Sequence, residues 1–355
     1  MVVRQMLADV IGRDPEIEVV GVAANGRIAL ERIPQARPDM VLLDMMMPEM
    51  DGLETVKAIR RTDRQLPIII VSAVTERGAA ITLDALSAGA TDYWTKPKNA
   101  KGVEDAKALI RQELIPKIKA LTRKTVAPPA VVRSPVRQAR PEAAPPRRPS
   151  RVELLAIGSS TGGPDALAAL LAELPRTFPV PVVIAQHMPP IFTALLAERL
   201  SARSPLRIRE ATAGQVLRPG EVWIAPGDQH MVLSRDNNKV SLEMHREAPE
   251  NFCRPSIDVL FRSVAQAYGA GALAVVLTGM GNDGTLGCER IRDQGGQILA
   301  QDEASSVVWG IPGSVVRAGL ADAVFSLSDM PLEISRRVAL ARNSQAATAS
   351  DTATP

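Results

Sequence analysis

Residues 40–52 read Met-Val-Leu-Leu-Asp-Met-Met-Met-Pro-Glu-Met-Asp-Gly. Four apolar residues run into Asp44, and a turn-forming stretch ending in Asp51-Gly52 follows. That pattern predicts a buried strand with a carboxylate at its end. Working outward, the apolar run Pro67-Ile68-Ile69-Ile70-Val71 ends in Ser72, and a third strand over 92–95 ends in Lys96-Pro97. Helix-period segments fall at 27–33, 52–61, 77–88 and 102–121, and residues 18–22 read as a further strand. Strand–helix alternation of this kind predicts a parallel sheet covered on both faces, with ligands at the carboxyl ends of the strands.

A carboxylate, a hydroxyl and an ammonium at three successive strand ends suit phosphoryl transfer. The carboxylate attacks phosphorus while the other two hold its oxygens as charge develops. Singly, a capping Asp, a core Ser and a surface Lys are each common. Their joint placement favours the phosphoryl-transfer reading.

On the stretch L-L-D-M-M-M-P-E-M-D-G, residues 1–122 resemble a response-regulator receiver domain. The resemblance implies that Asp44 is the phosphoacceptor, Ser72 the switch hydroxyl and Lys96 the phosphate-contacting lysine, with Lys96-Pro97 as a cis peptide. It also implies Mg²⁺ for phosphorylation. One feature departs from the family. Receivers begin with a strand carrying an acidic pair for the metal, whereas this sequence opens on Met1-Val2-Val3-Arg4-Gln5, inside what should be the first helix. The receiver is therefore expected to lack its first strand, to expose strand edges and to have an incomplete metal set. An internal start is the favoured explanation over a decayed domain, because the rest of the pattern is intact.

The chain has 355 residues, which suggests about two domains. Residues 127–150 hold seven prolines, five arginines and one acid, and so carry +4 of a chain whose net charge is +3. The remainder is near neutral, and only 3% of residues are aromatic, which argues against nucleic-acid binding. Residues 123–151 read as a flexible Pro/Arg-rich linker, and 343–355 as a disordered tail. Cys253 and Cys288 form neither a disulfide scaffold nor a C-x-x-C motif and read as structural. No signal segment or membrane span is evident, so a cytoplasmic location is expected.

Beyond the linker the alternation resumes, with strands expected at 154–157, 180–185, 222–225, 274–277 and 297–300 and helices at 166–173, 192–201, 257–268 and 284–294. The fold class is thus α/β, with two doubly wound parallel-sheet domains, the first flavodoxin-like. In Gly158-Ser159-Ser160-Thr161-Gly162, Ser160 fits a G-x-S-x-G turn between strand and helix. A phosphate-binding turn would look similar. A serine nucleophile needs a base, and His187 and His230, each following a strand, are rivals for that role; His245 lies in a polar stretch read as surface. Asp283, in Thr278-Gly279-Met280-Gly281-Asn282-Asp283-Gly284, could orient the base or simply make a turn. The order Ser, His, Asp differs from that of α/β-hydrolases.

Residues 152–342 are read as the catalytic domain, and 152–340 resemble the chemotaxis protein-glutamate methylesterase family, CheB. The resemblance rests on I-G-S-S-T-G-G, A-Q-H-M-P, I-A-P-G-D-Q-H-M, R-P-S-I-D-V-L-F-R-S, L-T-G-M-G-N-D-G and A-Q-D-E-A-S-S-V-V-W-G-I-P. It implies that Ser160, His187 and Asp283 form a triad, that Met280 supplies an oxyanion amide, and that Thr161 and His230 line the site. It further implies hydrolysis of glutamate methyl esters on methyl-accepting chemoreceptors with release of methanol, and deamidation of receptor glutamines. No cofactor is needed for either reaction. A chemotaxis histidine kinase would phosphorylate the receiver and relieve its obstruction of the site. The enzyme is expected to be a monomer that binds no nucleic acid and does not insert into membranes. The competing readings are a DNA-binding response regulator, a non-catalytic scaffold and an esterase for another substrate. The large near-neutral second domain disfavours the first, and the intact Ser160, His187 and Asp283 disfavour the second.

Overall fold

The computed structural model describes residues 2–97, 102–122, 151–237 and 239–339. The expected linker, apart from Arg151, and the expected tail lie outside the described residues. No helix among the described residues is long and apolar enough to cross a membrane.

The first domain runs α1 (Val2–Ile11), α2 (Gly26–Ala36), β1 (Val41–Asp44), α3 (Gly52–Thr62), β2 (Ile68–Ser72), α4 (Glu76–Ser87), β3 (Asp92–Thr95), α5 (Val103–Leu109) and α6 (Ile115–Thr122). A π-helical turn over Ile110–Leu114 joins α5 to α6, so the expected long helix is one rod with a widened middle turn. The three strands are parallel in the order β1-β2-β3. Every residue of β2 is buried, as its unbroken apolar run requires of a strand covered on both faces.

The strand expected at 18–22 does not form. The segment is extended and solvent-facing, with Val19, Val20 and Val22 exposed, and the Ala23 carbonyl accepts from Arg4 at 2.9 Å. A strand needs a neighbour for its ladder, and no described strand lies beside it. The Lys96-Pro97 bond is also not cis; Arg254-Pro255 is the cis bond among the described residues. Lys96 reaches Asp44 with the ordinarily favoured trans peptide, so nothing in its placement calls for the rarer isomer.

The second domain holds β4 (Leu154–Ser159), α7 (Gly163–Glu173), β5 (Val182–Gln186), α8 (Phe192–Arg203), β6 (Arg207–Glu210), β7 (Glu221–Ile224), β8 (His230–Asp236), β9 (Lys239–His245), α9 (Ile257–Tyr268), β10 (Ala272–Val276), α10 (Thr285–Asp293), β11 (Gln297–Gln301), α11 (Ile311–Arg317) and β12 (Ala323–Phe325). Seven strands make a parallel sheet in the order β12-β11-β10-β4-β5-β7-β6, and β8 and β9 form an antiparallel hairpin. The central strands β4, β5 and β10 are buried at every residue. The edge strands β6 and β12 escape a reading by apolar runs. β6 is Arg-Ile-Arg-Glu with only Ile208 buried, and β12 is three residues long.

The two domains pack together. Leu83 and Leu86 of α4 share a buried apolar cluster with Leu167 of α7 and with Leu196 and Leu200 of α8. Tyr93 of β3 stacks on Phe192 with ring centroids 5.0 Å apart. Arg199 donates to the Ala80 carbonyl at 2.7 Å and pairs with Asp84 at 2.8 Å.

Candidate active site

The turn after β4 carries Ser160. Its N–H donates to the Thr278 carbonyl at 3.0 Å, and its own carbonyl accepts from the Gly163 N–H at 2.8 Å and from Gln186 Nε2 at 2.9 Å. Gln186 Oε1 in turn accepts from Ser159 Oγ at 2.6 Å. Gln186, buried at the end of β5, therefore braces the turn from the neighbouring strand. Gly162 sits at φ +76°, where a side chain would be strained, and ends the turn as α7 begins. Gly279 packs against the serine so closely that an added Cβ would lie 2.8 Å from Ser160 Cβ. The loop carrying Met280 is thereby held beside Ser160.

His187 follows β5, and its backbone N–H donates to the Ser159 carbonyl at 3.2 Å. Its Nε2 lies 2.7 Å from Asp283 Oδ2, whereas His230 contacts the Ser256 N–H and the Ala248 carbonyl instead. Asp283 is buried at the amino end of α9. Oδ1 accepts from Ser256 Oγ at 2.8 Å, Asn251 Nδ2 at 2.9 Å and the Asp258 N–H at 3.1 Å, while Oδ2 accepts from the Ile257 N–H at 2.7 Å. Burial alone would favour the neutral acid. His187 and these donors outweigh it and hold the Asp283 carboxyl well below the usual range. Burial likewise opposes charge on His187, but Cys253 and Asp283 raise the imidazole to about 10.

Cys253, read from the sequence as structural, touches the other side of the base: its Sγ lies 3.3 Å from His187 Nδ1. Among the described residues no hydrogen bond joins Ser160 Oγ to His187. His187 is thus held between Asp283 on Nε2 and the Cys253 thiol on Nδ1. Ligand atoms of His187, Cys253 and Asp283 lie within 4.8 Å of one another, a spacing that could hold a metal. Both Asp283 oxygens are already taken by hydrogen-bond donors, which makes them poor ligands.

His230 is buried rather than at a site wall. Its Nδ1 accepts from the Ser256 N–H at 3.2 Å, and Nε2 contacts the Ala248 carbonyl at 3.2 Å. Burial lowers its pKa, consistent with a neutral ring. It supports Ser256, which supports Asp283, so it positions the acid from behind. His245, expected on the surface, is half-buried on β9 with its ring 5.2 Å from that of His230. Thr161 is buried and donates to Asp92 of the first domain at 2.9 Å.

In the first domain Lys96 Nζ lies 2.6 Å from Asp44 Oδ2, and Asp44 Oδ1 accepts from the Met46 N–H at 3.2 Å. Ser72 is buried and turned towards α4, where its Oγ accepts from Thr82 Oγ1 at 2.5 Å. Strand ends thus bring Asp44 and Lys96 together and leave Ser72 engaged elsewhere. The residues beside Asp44 do not fit an octahedral Mg²⁺ site. Among the described residues no acidic cluster of three or more includes Asp44, and its near charged neighbour is a cation.

Sequence reasoning missed Gln186, Asn251, Cys253, Ser256 and Asp258. A signal existed for Ser256: R-P-S-I-D places a serine one residue before an apolar helix-period run, as an N-cap requires. The others carry no local mark.

The model of the CheB methylesterase family matches residues 155–334, and that of the response regulator receiver domain matches 1–107. A protein-glutamate methylesterase/protein-glutamine glutaminase of Trichodesmium erythraeum is 49% identical over 339 residues, covering 95% of this chain and 96% of that protein. One from a Nocardioides species is 49% identical over 354 residues, covering 97% and 94%. The crystal structure of the Thermotoga maritima CheB methylesterase catalytic domain matches at 41% identity with a TM-score of 0.51, over 52% of this chain and 98% of that one.

Proposed function

The chain belongs to the CheB methylesterase family, and on that premise we propose that Ser160, His187 and Asp283 are the nucleophile, base and orienting acid of its reaction. It is a protein-glutamate methylesterase/protein-glutamine glutaminase, a hydrolase joined to a receiver domain and serving chemotactic adaptation. The observation that carries the residue assignment is the 2.7 Å contact between His187 and Asp283, beside the turn that holds Ser160.

Ser160 Oγ attacks the γ-carbonyl of a methylated receptor glutamate. Asp283 occupies Nε2, so His187 takes the serine proton on Nδ1, and Cys253 must give way to Ser160 there. The same nitrogen returns the proton to the methoxy oxygen, which leaves as methanol, or to the amide nitrogen of a glutamine, which leaves as ammonia. Water then takes the leaving group's place, gives a proton to His187 Nδ1 as it attacks the acyl carbonyl, and that proton passes to Ser160 Oγ as the acyl bond breaks. In this reading the Met280 N–H and a turn N–H other than that of Ser160, which is bonded to the Thr278 carbonyl, donate to the developing oxyanion; one such donor is worth about 3 kcal/mol. In this reading neither reaction uses a cofactor.

The receiver is the switch. Asp44 is the phosphoacceptor, with Lys96 already at its carboxylate. The partners are chemoreceptors and a chemotaxis kinase; we place the enzyme in the cytoplasm as a monomer. Methanol release from methylated receptor tests the assignment. Release should vanish in Ser160→Ala and rise when a small phosphodonor is added. Release that survives Ser160→Ala would overturn the nucleophile.

A further inference from the structure

The loop 250–254 joins the hairpin to α9 in an unusual conformation. Asn251 and Phe252 both adopt left-handed backbone, at φ +52° and +63°. Asparagine tolerates that region; a bulky side chain such as phenylalanine rarely enters it. Such a conformation persists only where its surroundings impose it. Here both flanks are anchored in the site. Asn251 Nδ2 donates at 2.9 Å to Asp283 and at 2.9 Å to Asp258, and Cys253 Sγ contacts His187. The backbone of Glu250 and Cys253 closes the turn with paired bonds of 3.1 and 2.9 Å. Between these anchors the Phe252 ring is fully exposed, at 102%.

Phe252 does not stand alone. Asp258, which holds Asn251, also accepts from the Gly287 N–H at 2.6 Å, and the residue before Gly287 is Leu286, 56% exposed. Val307, also exposed, presses on the Ser160 turn: a Cβ on Gly162 would lie 2.6 Å from Val307 Cγ2. The described residues of the catalytic domain expose five large apolar side chains; of these, Phe252 belongs to the loop that bonds Asp283, Leu286 lies three positions after Asp283, and Val307 packs on the turn that holds Ser160. Exposed apolar side chains carried by the elements that build a reaction centre offer a contact surface for substrate.

We propose that Phe252, with Leu286 and Val307, grips an apolar side chain of the substrate polypeptide next to the glutamyl ester. The inference rests on the methylesterase reading of Ser160, His187 and Asp283. The left-handed turn keeps the Phe252 ring outside the core, ready for contact with a protein substrate. A lone ester group without its polypeptide makes no use of it. Phe252 is thus a specificity residue for macromolecular substrate and takes no part in bond breaking.

The test is steady-state methanol release by the full-length enzyme from a methylated receptor cytoplasmic fragment, for wild type, Phe252→Ala, Phe252→Leu and Phe252→Gly. Phe252→Ala is expected to raise KM at least fivefold with kcat within twofold, and Phe252→Leu to restore most of the loss. Phe252→Gly removes the ring but accepts positive φ, so it should show the same KM rise with a thermal midpoint at or above wild type. That variant separates loss of grip from loss of fold. An unchanged KM in Phe252→Ala and Phe252→Gly would overturn the proposal, and so would a fall in kcat with KM unchanged, because the loop would then act only through His187 and Asp283. Failure of the underlying reading looks different: wild type would release no methanol, or Ser160→Ala would retain release.

Discussion

Thr161, the residue after the candidate nucleophile, donates its hydroxyl at 2.9 Å to Asp92 on the last receiver strand. The Asp92 carboxylate is buried, and it also takes Lys117 Nζ at 2.5 Å and the Tyr93 N–H at 2.8 Å. The receiver therefore holds the catalytic turn through a charge-assisted hydrogen bond. A switch between closed and open states must act through such differential contacts.

Loss of that bond should loosen the closed state. A hydrogen bond to a charged group is worth about 1.5–3 kcal/mol, so Asp92→Ala is expected to raise the activity of unphosphorylated enzyme by roughly 10- to 100-fold. The rate with phosphodonor should change little. Initial rates of methanol release in the two states measure this; an unaltered ratio would show that Asp92 takes no part in coupling.

The pH dependence should reveal the Cys253 contact. His187 accepts a proton only when neutral, so kcat/KM rises with pH as the imidazolium loses its proton. Cys253 and Asp283 hold that imidazole above its ordinary range against the opposing effect of burial. The rising limb is therefore expected above about 6.5, the ordinary imidazole value. Cys253→Ala removes one raising influence and should move the limb to lower pH. Coincident pH profiles would remove the thiol from the argument.

The cradle around Asp283 sets a graded series. Asp283→Asn should lower kcat by roughly 10⁴, as loss of an orienting carboxylate does in comparable triads. Ser256→Ala removes one of five groups bonded to that carboxylate and should cost about tenfold. Saturating kinetics on methylated receptor would compare the two. A Ser256→Ala loss equal to that of Asp283→Asn would mean that the cap holds the whole site together.

Gly279→Ala tests close packing against the nucleophile. Its Cβ would lie 2.8 Å from Ser160 Cβ and 2.6 Å from Ile311 Cδ1, so Ser160 must shift. A misplacement near 1 Å can cost about 10²-fold. A kcat loss of about 10- to 100-fold with KM little changed is expected, and wild-type kcat would show that the turn can yield without harm.

In the receiver, Asp44→Ala should abolish transfer of labelled phosphate from a chemotaxis kinase. Equal labelling of variant and wild type would exclude Asp44 as the acceptor.

Much of this architecture is legible in the chain itself. Apolar runs ending in Asp44 and Ser72, and the short segment 92–95 before Lys96, mark the receiver strands, and the turn Gly158–Gly162 marks the candidate nucleophile, because each signal lies within a few consecutive residues. Helix α9 is predicted over 257–268 and forms at Ile257–Tyr268, since its periodicity is strong. Polar β6 and three-residue β12 carry too little apolar pattern to be seen. The strand predicted over 18–22 fails for another reason: β pairing depends on a neighbour that local composition does not supply.

By itself the sequence determined the α/β class, the two-domain plan and the residue types able to attack an ester and a phosphoryl group. Those properties follow from local periodicity and from short motifs. It left His187 and His230 as equals on the residues alone. Tertiary structure distinguishes them by placement: α9 presents its amino end to Asp283, and Asp283 then meets His187 across 96 positions of chain. It also set Cys253 on the base, Asp92 on Thr161 and Phe252 in the solvent. Each of these depends on where separate elements dock. Docking is fixed by burial of apolar surface over whole helices and strands, and no short stretch of sequence encodes it.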